Sequence, residues 1–131
     1  AVQLRGWEVS NPSKRKGTEW ETAGVRYLRE MVPASDDIRR VAQTGRMDIG
    51  DVHAAPFCLE FKNVREITLA SFVEQAEREA RHAGLDYGVA VVKRRGKGTA
   101  AGYVVMSLET FAAVLAEIRE ARANTPGGSR E

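Results

Sequence analysis

The chain has 131 residues, 43% of them hydrophobic and 29% charged, with 20 Lys and Arg against 18 Asp and Glu for a net charge of +2. That length encloses one core without covalent staples. The composition excludes a disordered, fibrous or disulfide-framed protein, since the single Cys58 has no internal partner. No apolar stretch approaches the roughly 20 residues of a membrane span and no signal-peptide pattern is read, so no membrane partner and a cytoplasmic location are expected.

Residues 1–17 mix Gly, Asn, Pro, Ser and Lys and read as a basic N-terminal arm. Thr18 is placed to cap a helix whose stripe is Trp20, Ala23, Gly24, Tyr27, Leu28 and Met31, ended by Val32-Pro33. A short β-like run, Ile38 to Ala42, follows. Ile49 to His53 and Phe57 to Lys62 then read as two strands of a hairpin around Ala54-Ala55-Pro56. Thr68 caps a second helix with Leu69, Phe72, Val73, Ala76 and Ala80 on its apolar face, ending near Gly84. Tyr87 to Lys93 and Tyr103 to Met106 are strands separated by a loop rich in Gly and basic residues. Ser107 caps a last helix with Leu108, Phe111, Ala112, Leu115 and Ile118 on one face. The order αβββαββα predicts an α/β (α+β) fold, a mixed central sheet flanked by helices, over residues 18–122, with 123–131 a flexible tail.

Strand parity singles out one stretch. In "GRMDIGDVHAAPFCLEFKN" (residues 45–63), Phe57, Leu59 and Phe61 point to one side of their strand and Cys58, Glu60 and Lys62 to the other. If Ala55-Pro56 is a two-residue turn, residues whose numbers sum to 111 are opposed: Val52 faces Leu59, and Asp51 faces Glu60. Opposed β carbons lie about 4.5–5.5 Å apart, and two unit charges about 4 Å apart at an effective dielectric of about 20 repel by roughly 4 kcal/mol. Lys62, two residues along on the same face, offsets part of that. A divalent cation held by both carboxylates offsets more, and hard oxygen ligands with positions left for water and phosphate suit Mg²⁺ or Mn²⁺. An odd-length turn would shift the register and bring Asp48 to Glu60 in place of Asp51. Without a cation the same residues make an ordinary charged hairpin face.

Other candidates carry less. His53 and His82 have no Cys or His at metal-ligating spacing, which argues against zinc. Cys58 has no assigned base and reads as structural. Trp20 belongs to the first helix stripe, whereas Trp7 is free to stack on a base. Basic residues gather at Lys14, Arg15 and Lys16, at Arg39, Arg40 and Arg46, and at Lys93, Arg94, Arg95 and Lys97; clusters of this kind are commonly solvated surface.

Taken in order, "KGTEWET", "GRMDIGDV", "CLEFKN", "EQAEREARHAG" and "VAVVKRRG" resemble the PD-(D/E)xK nuclease superfamily, the restriction-endonuclease-like fold, and more narrowly the Holliday-junction resolvases of phage and archaeal type. The likeness runs from Lys16 to Leu115. One departure is plain: Gly50 stands where the motif has Pro. The resemblance implies a Mg²⁺- or Mn²⁺-dependent endonuclease, a hydrolase of DNA recombination and repair. Asp51, Glu60 and the main-chain carbonyl of Phe61 would hold the metal, with Lys62 beside the attacking water, Glu19 adding a carboxylate from the first helix, and Gln75 hydrogen-bonding the site or the substrate. Lys14, Arg15, Lys16, Lys93, Arg94, Arg95 and Lys97 would contact phosphates, which gives structure-selective rather than sequence-selective binding. The partner implied is branched DNA, a four-way junction, cut by a homodimer. Two alternatives stay open: a nuclease for single strands, flaps or ends using the same centre, and a non-catalytic DNA-binding module, against which the clustered carboxylates count.

Overall fold

The structure, a computed structural model, describes residues 12–43, 45 and 47–125. The first eleven residues of the basic arm with Trp7, Arg46, and residues 126–131 of the tail lie outside the described residues. Helix α1 spans Pro12–Met31, followed by β1 (Arg39–Arg40), β2 (Val52–Ala54), β3 (Phe57–Lys62), α2 (Leu69–Ala83), β4 (Tyr87–Val92), a 3₁₀ turn (Thr99–Ala101), β5 (Tyr103–Val105) and α3 (Leu108–Ala123). The helix starts ahead of Thr18. Pro at the first helical position loses no needed N–H and its fixed φ suits the turn, so Lys14, Arg15 and Lys16 ride on the first turns of α1 instead of an irregular arm. No helix among the described residues is long and apolar enough to cross a membrane.

The five strands form one mixed sheet in the order β1-β2-β3-β4-β5. β2 and β3 are the expected hairpin, with Val52 opposite Leu59, His53 opposite Cys58 and Ala54 opposite Phe57 around Ala55-Pro56, whose peptide bond is cis. β4 pairs parallel to β3 from Phe57–Tyr87 to Lys62–Val92, with α2 as the crossover, and β5 pairs antiparallel to β4.

Each side of the sheet has its own helix. Phe57, Leu59 and Phe61 face α1, where Trp20, Val25, Ile38, Val52, Leu59, Phe61 and Val89 make the main core. Trp20 meets Phe61 edge-on, with ring centroids 5.6 Å apart, and its indole N–H donates to the Val91 carbonyl at 3.0 Å. Trp20 is therefore core. On the opposite side α2 lies directly on the strands, and Gly88 is what lets it: a β carbon there would stand 2.1 Å from the Ala76 carbonyl oxygen. Gly84, at φ 73°, ends α2 in the left-handed region and donates its N–H to the α2 carbonyls.

α3 departs from expectation. Ser107 does cap it, accepting the Thr110 N–H at 3.0 Å, yet none of its residues is buried, and Leu108, Phe111, Leu115 and Ile118 stay exposed. Its stripe reads as amphipathic in sequence, but no face of the helix is buried against the described residues. A hydrogen bond from the Tyr87 hydroxyl to Glu117 ties it to the start of β4.

Candidate functional site

The polar residues of β3 face α2. Cys58, Glu60 and Lys62 lie under α2, and α2 turns Gln75 and Glu79, one helical turn apart, onto them. The Gln75 side chain is the junction. Its Nε2 donates to Glu60 Oε2 at 3.1 Å and to Glu79 Oε2 at 2.8 Å, while its Oε1 accepts from Lys62 Nζ at 2.9 Å. Lys62 Nζ is also 3.4 Å from Glu60 Oε2 and 5.2 Å from the centre of the Phe72 ring. Three of the expected residues, Glu60, Lys62 and Gln75, thus form one hydrogen-bonded group.

Asp51 joins them by a route other than the one expected. It does not pair with Glu60 across the ladder. Gly50 holds φ at 93°, which turns the chain out of the strand; the Asp51 N–H then donates to the Leu59 carbonyl at 3.1 Å, and Asp51 Oδ2 accepts the Phe61 N–H at 2.8 Å. The carboxylate takes up a ladder donor and comes to lie beside the Glu60 carboxyl. The turn also explains why a glycine stands at position 50. A φ of 93° is closed to proline, whose ring fixes φ near −65°, and a β carbon at Gly50 would stand 2.4 Å from Cys58 Sγ. The segment is held by Gly50 N–H to Asp48 Oδ1 at 3.3 Å, by Gln43 Nε2 to the Gly50 carbonyl at 2.9 Å and by the Cys58 thiol to the Ile49 carbonyl at 3.3 Å.

Glu19 is not brought to the cluster. With about 100° of helix per residue, it falls opposite the arc of α1 that buries Trp20, Gly24 and Val25, and it is exposed. Glu21 is the carboxylate that α1 presents. Burial raises its pKa, the charge of Asp51 raises it further, and the Arg40 guanidinium, 3.1 Å away, works in the opposite direction. Glu79 is the other residue the sequence reading passed over. It stands at i+3 from Ala76 and i+7 from Phe72, inside the apolar stripe of α2, which was the available signal. It is fully buried, and its Oε1 has no N–H donor.

Four carboxyl groups therefore run in line from Asp51 through Glu60 and Glu79 to Asp48. Burial is the main reason that Glu60 is pushed up to about 10, with Glu79 and the charge of Asp51 adding to it and Lys62 opposing. Burial also raises Asp51, against the Phe61 N–H, and Glu79. Asp48, at the exposed end, is lowered, first by its hydrogen bond with Glu79. Lys62 lies against Glu60, and the charge of Arg78 acts on Asp48. Cys58 is buried and held up to about 12 by burial and then by the neighbouring carboxylates, so it is an unreactive thiol. His53 Nε2 donates to the Ile49 carbonyl, 2.6 Å away, and His82 Nδ1 to the Asp48 carbonyl, 3.0 Å away. Both brace the 48–51 segment.

The basic residues assemble beside the end of β3. Lys93 N–H donates to the Lys62 carbonyl at 2.9 Å, Lys93 Nζ lies 5.4 Å from the Trp20 ring centre and donates to the Lys97 carbonyl, Arg94 covers Tyr103, and Arg95 reaches Asn63 Oδ1 at 3.4 Å. Lys16 is one turn before Trp20 on the same face of α1. Arg39 and Arg40 sit on the far edge strand, where Arg40 pairs with Glu21.

Among the described residues no three His, Cys, Asp or Glu side chains are already gathered as a metal cage. The donor set does suit a hard cation that keeps most of its water. Asp51 and Glu60 are adjacent carboxyls, and the Phe61 main chain lies against Asp51. Scanned against protein-family models, curated proteins and solved structures, the chain finds no match.

Proposed function

We propose that the protein is a metal-dependent endonuclease of the restriction-endonuclease-like type, acting on branched DNA as a Holliday-junction resolvase does. The observation that carries this reading is the shared hydrogen bonding of Glu60, Lys62 and Gln75 beside Asp51, with the basic loop 93–97 bonded to Lys62 and to Asn63 next to it. Asp51 and Glu60 would hold Mg²⁺ or Mn²⁺, with the Phe61 carbonyl as a third oxygen. When bound, such an ion lowers the pKa of a coordinated water and neutralises charge on the scissile phosphate. The chain's own part is positional and electrostatic. The Lys62 ammonium, held by Gln75 and Phe72, stabilises negative charge growing on the phosphate and orients the water. Glu21 adds a carboxylate on the Asp51 side, in the role the resemblance gave to Glu19. Lys16, Lys93, Arg94, Arg95 and Lys97 bind backbone phosphates, which fixes the duplex without reading bases. A four-way junction offers two strands to cut, which in this reading a homodimer with two sites does symmetrically.

The test is incubation with a labelled four-way junction, a flap and a linear duplex in Mg²⁺ or EDTA. Junction cleavage that requires metal is expected, reduced roughly 100-fold or more in Asp51→Asn and Glu60→Gln with junction binding retained. Cleavage surviving both substitutions would remove these residues from the mechanism. Binding without cleavage of any substrate would make the chain a DNA-binding module.

A further inference from the structure

We infer that Glu79 is a positioning residue: by accepting one Nε2 hydrogen of Gln75 it fixes the orientation of that amide, and so points Gln75 Oε1 at Lys62. This rests on the nuclease reading only for the consequence in catalysis. The geometry stands apart from it. A glutamine amide has two donor hydrogens and one acceptor oxygen. Here both hydrogens are taken by carboxyl oxygens, of Glu60 at 3.1 Å and of Glu79 at 2.8 Å, and the oxygen by the Lys62 ammonium at 2.9 Å. Rotating the amide by 180° would aim NH₂ at an ammonium and oxygen at two carboxyls. Glu79 supplies the shorter of the two bonds that forbid this.

The surroundings show that Glu79 is not there to fill space. It is fully buried against the Gly50 turn, its Oε1 3.7 Å from the place a Gly50 β carbon would occupy. Burying a carboxyl with an oxygen that finds no N–H donor is costly. An apolar side chain of the same length would occupy the site without that cost. Such a side chain cannot accept a hydrogen bond. Gly88 completes the device, because the close seat of α2 on β4 is what brings side chains as short as Gln75 and Glu79 onto the polar side of β3.

The test compares Glu79→Met, Glu79→Gln, Gln75→Ala and the Glu79→Met/Gln75→Ala pair, in full-length protein. Glu79→Met is expected to keep or raise Tm while junction cleavage falls roughly 10–100-fold in kcat with KM unchanged, as for partners that orient ligands. Glu79→Gln, which offers an amide oxygen to Gln75, is expected to restore most of that rate. In the Gln75→Ala background Glu79→Met should cost nothing further. The independent readout is the Gln75 side-chain amide in ¹⁵N NMR. Glu79→Met should shift one Nε2 proton upfield and speed its exchange with water, and the Lys62 ammonium signal should be lost. An unchanged Gln75 amide, an additive double variant, or a Glu79→Met protein that unfolds would each overturn the proposal. A shifted amide in a protein that cuts no DNA would uphold the positioning and sink the nuclease reading.

Discussion

The two sides of β3 are built from alternate residues of one six-residue strand and are held by opposite physics. Phe57, Leu59 and Phe61 pack against α1, where Trp20 closes over Phe61 and apolar area leaves water. Glu60 and Lys62 pack against α2 through hydrogen bonds, and burial makes the Glu60 carboxyl reluctant to ionise. One side stabilises the fold. The other draws on that stability to hold buried polar groups in place.

The sharpest way to break this comparison is to mutate neighbours. Phe61→Ala should cost about 3–5 kcal/mol in denaturant unfolding, as for a large core aromatic. Glu60→Met, one residue away, should cost clearly less, because the buried, poorly ionised carboxyl it removes is itself expensive to bury, which offsets the acceptor lost to Gln75 and Lys62. An equally destabilised Glu60→Met would mean both sides serve the fold alike. Gly50→Ala comes next: the positive φ and the Cys58 contact predict a loss of about 1–3 kcal/mol, together with loss of Asp51 from its bond to the Phe61 N–H.

The pH dependence follows from Glu60. Its ordinary pKa is 4.5 and its folded value about 10, so between those values the unfolded chain releases a proton that the folded chain keeps. Stability therefore falls as pH rises across that window, by at most about 1.4 kcal/mol per pH unit for one proton. Urea midpoints of metal-free protein should decline accordingly, and the decline should flatten in Glu60→Gln and in saturating Mg²⁺. A flat wild-type profile would contradict the burial argument. The smallest effect is at the surface, where Arg94→Ala or Lys97→Ala should weaken junction binding evenly across sequences and lower the salt slope by about 1 each.

Much of the polar side could be read from the sequence, because strand parity is strict. The register through Val52 and Leu59, and the placing of Glu60 with Lys62, needed only a period of two and a two-residue turn. What lay beyond that logic depends on three-dimensional packing. Ile49 to Asp51 continue the apolar pattern but leave the strand, since Gly50 turns and Asp51 bonds through its side chain. Thr18 resembles a cap, yet Pro12 starts the helix earlier and the buried arc of α1 then selects Glu21 over Glu19. Glu79 was visible as an acid in an apolar stripe, but only the close seat of α2 allowed by Gly88 shows whom it meets. α3 was legible as a helix and not as an unpacked one, because its stripe records amphipathicity and not what covers it.

The claim on which the rest depends is that Asp51 and Glu60 act together on one cation. Mn²⁺ binding followed by electron paramagnetic resonance measures it without DNA. The account predicts saturable uptake by the wild-type chain at neutral pH, abolished in Asp51→Asn and in Glu60→Gln and retained in Glu19→Gln. Undiminished uptake by the Asp51→Asn/Glu60→Gln double variant would contradict it.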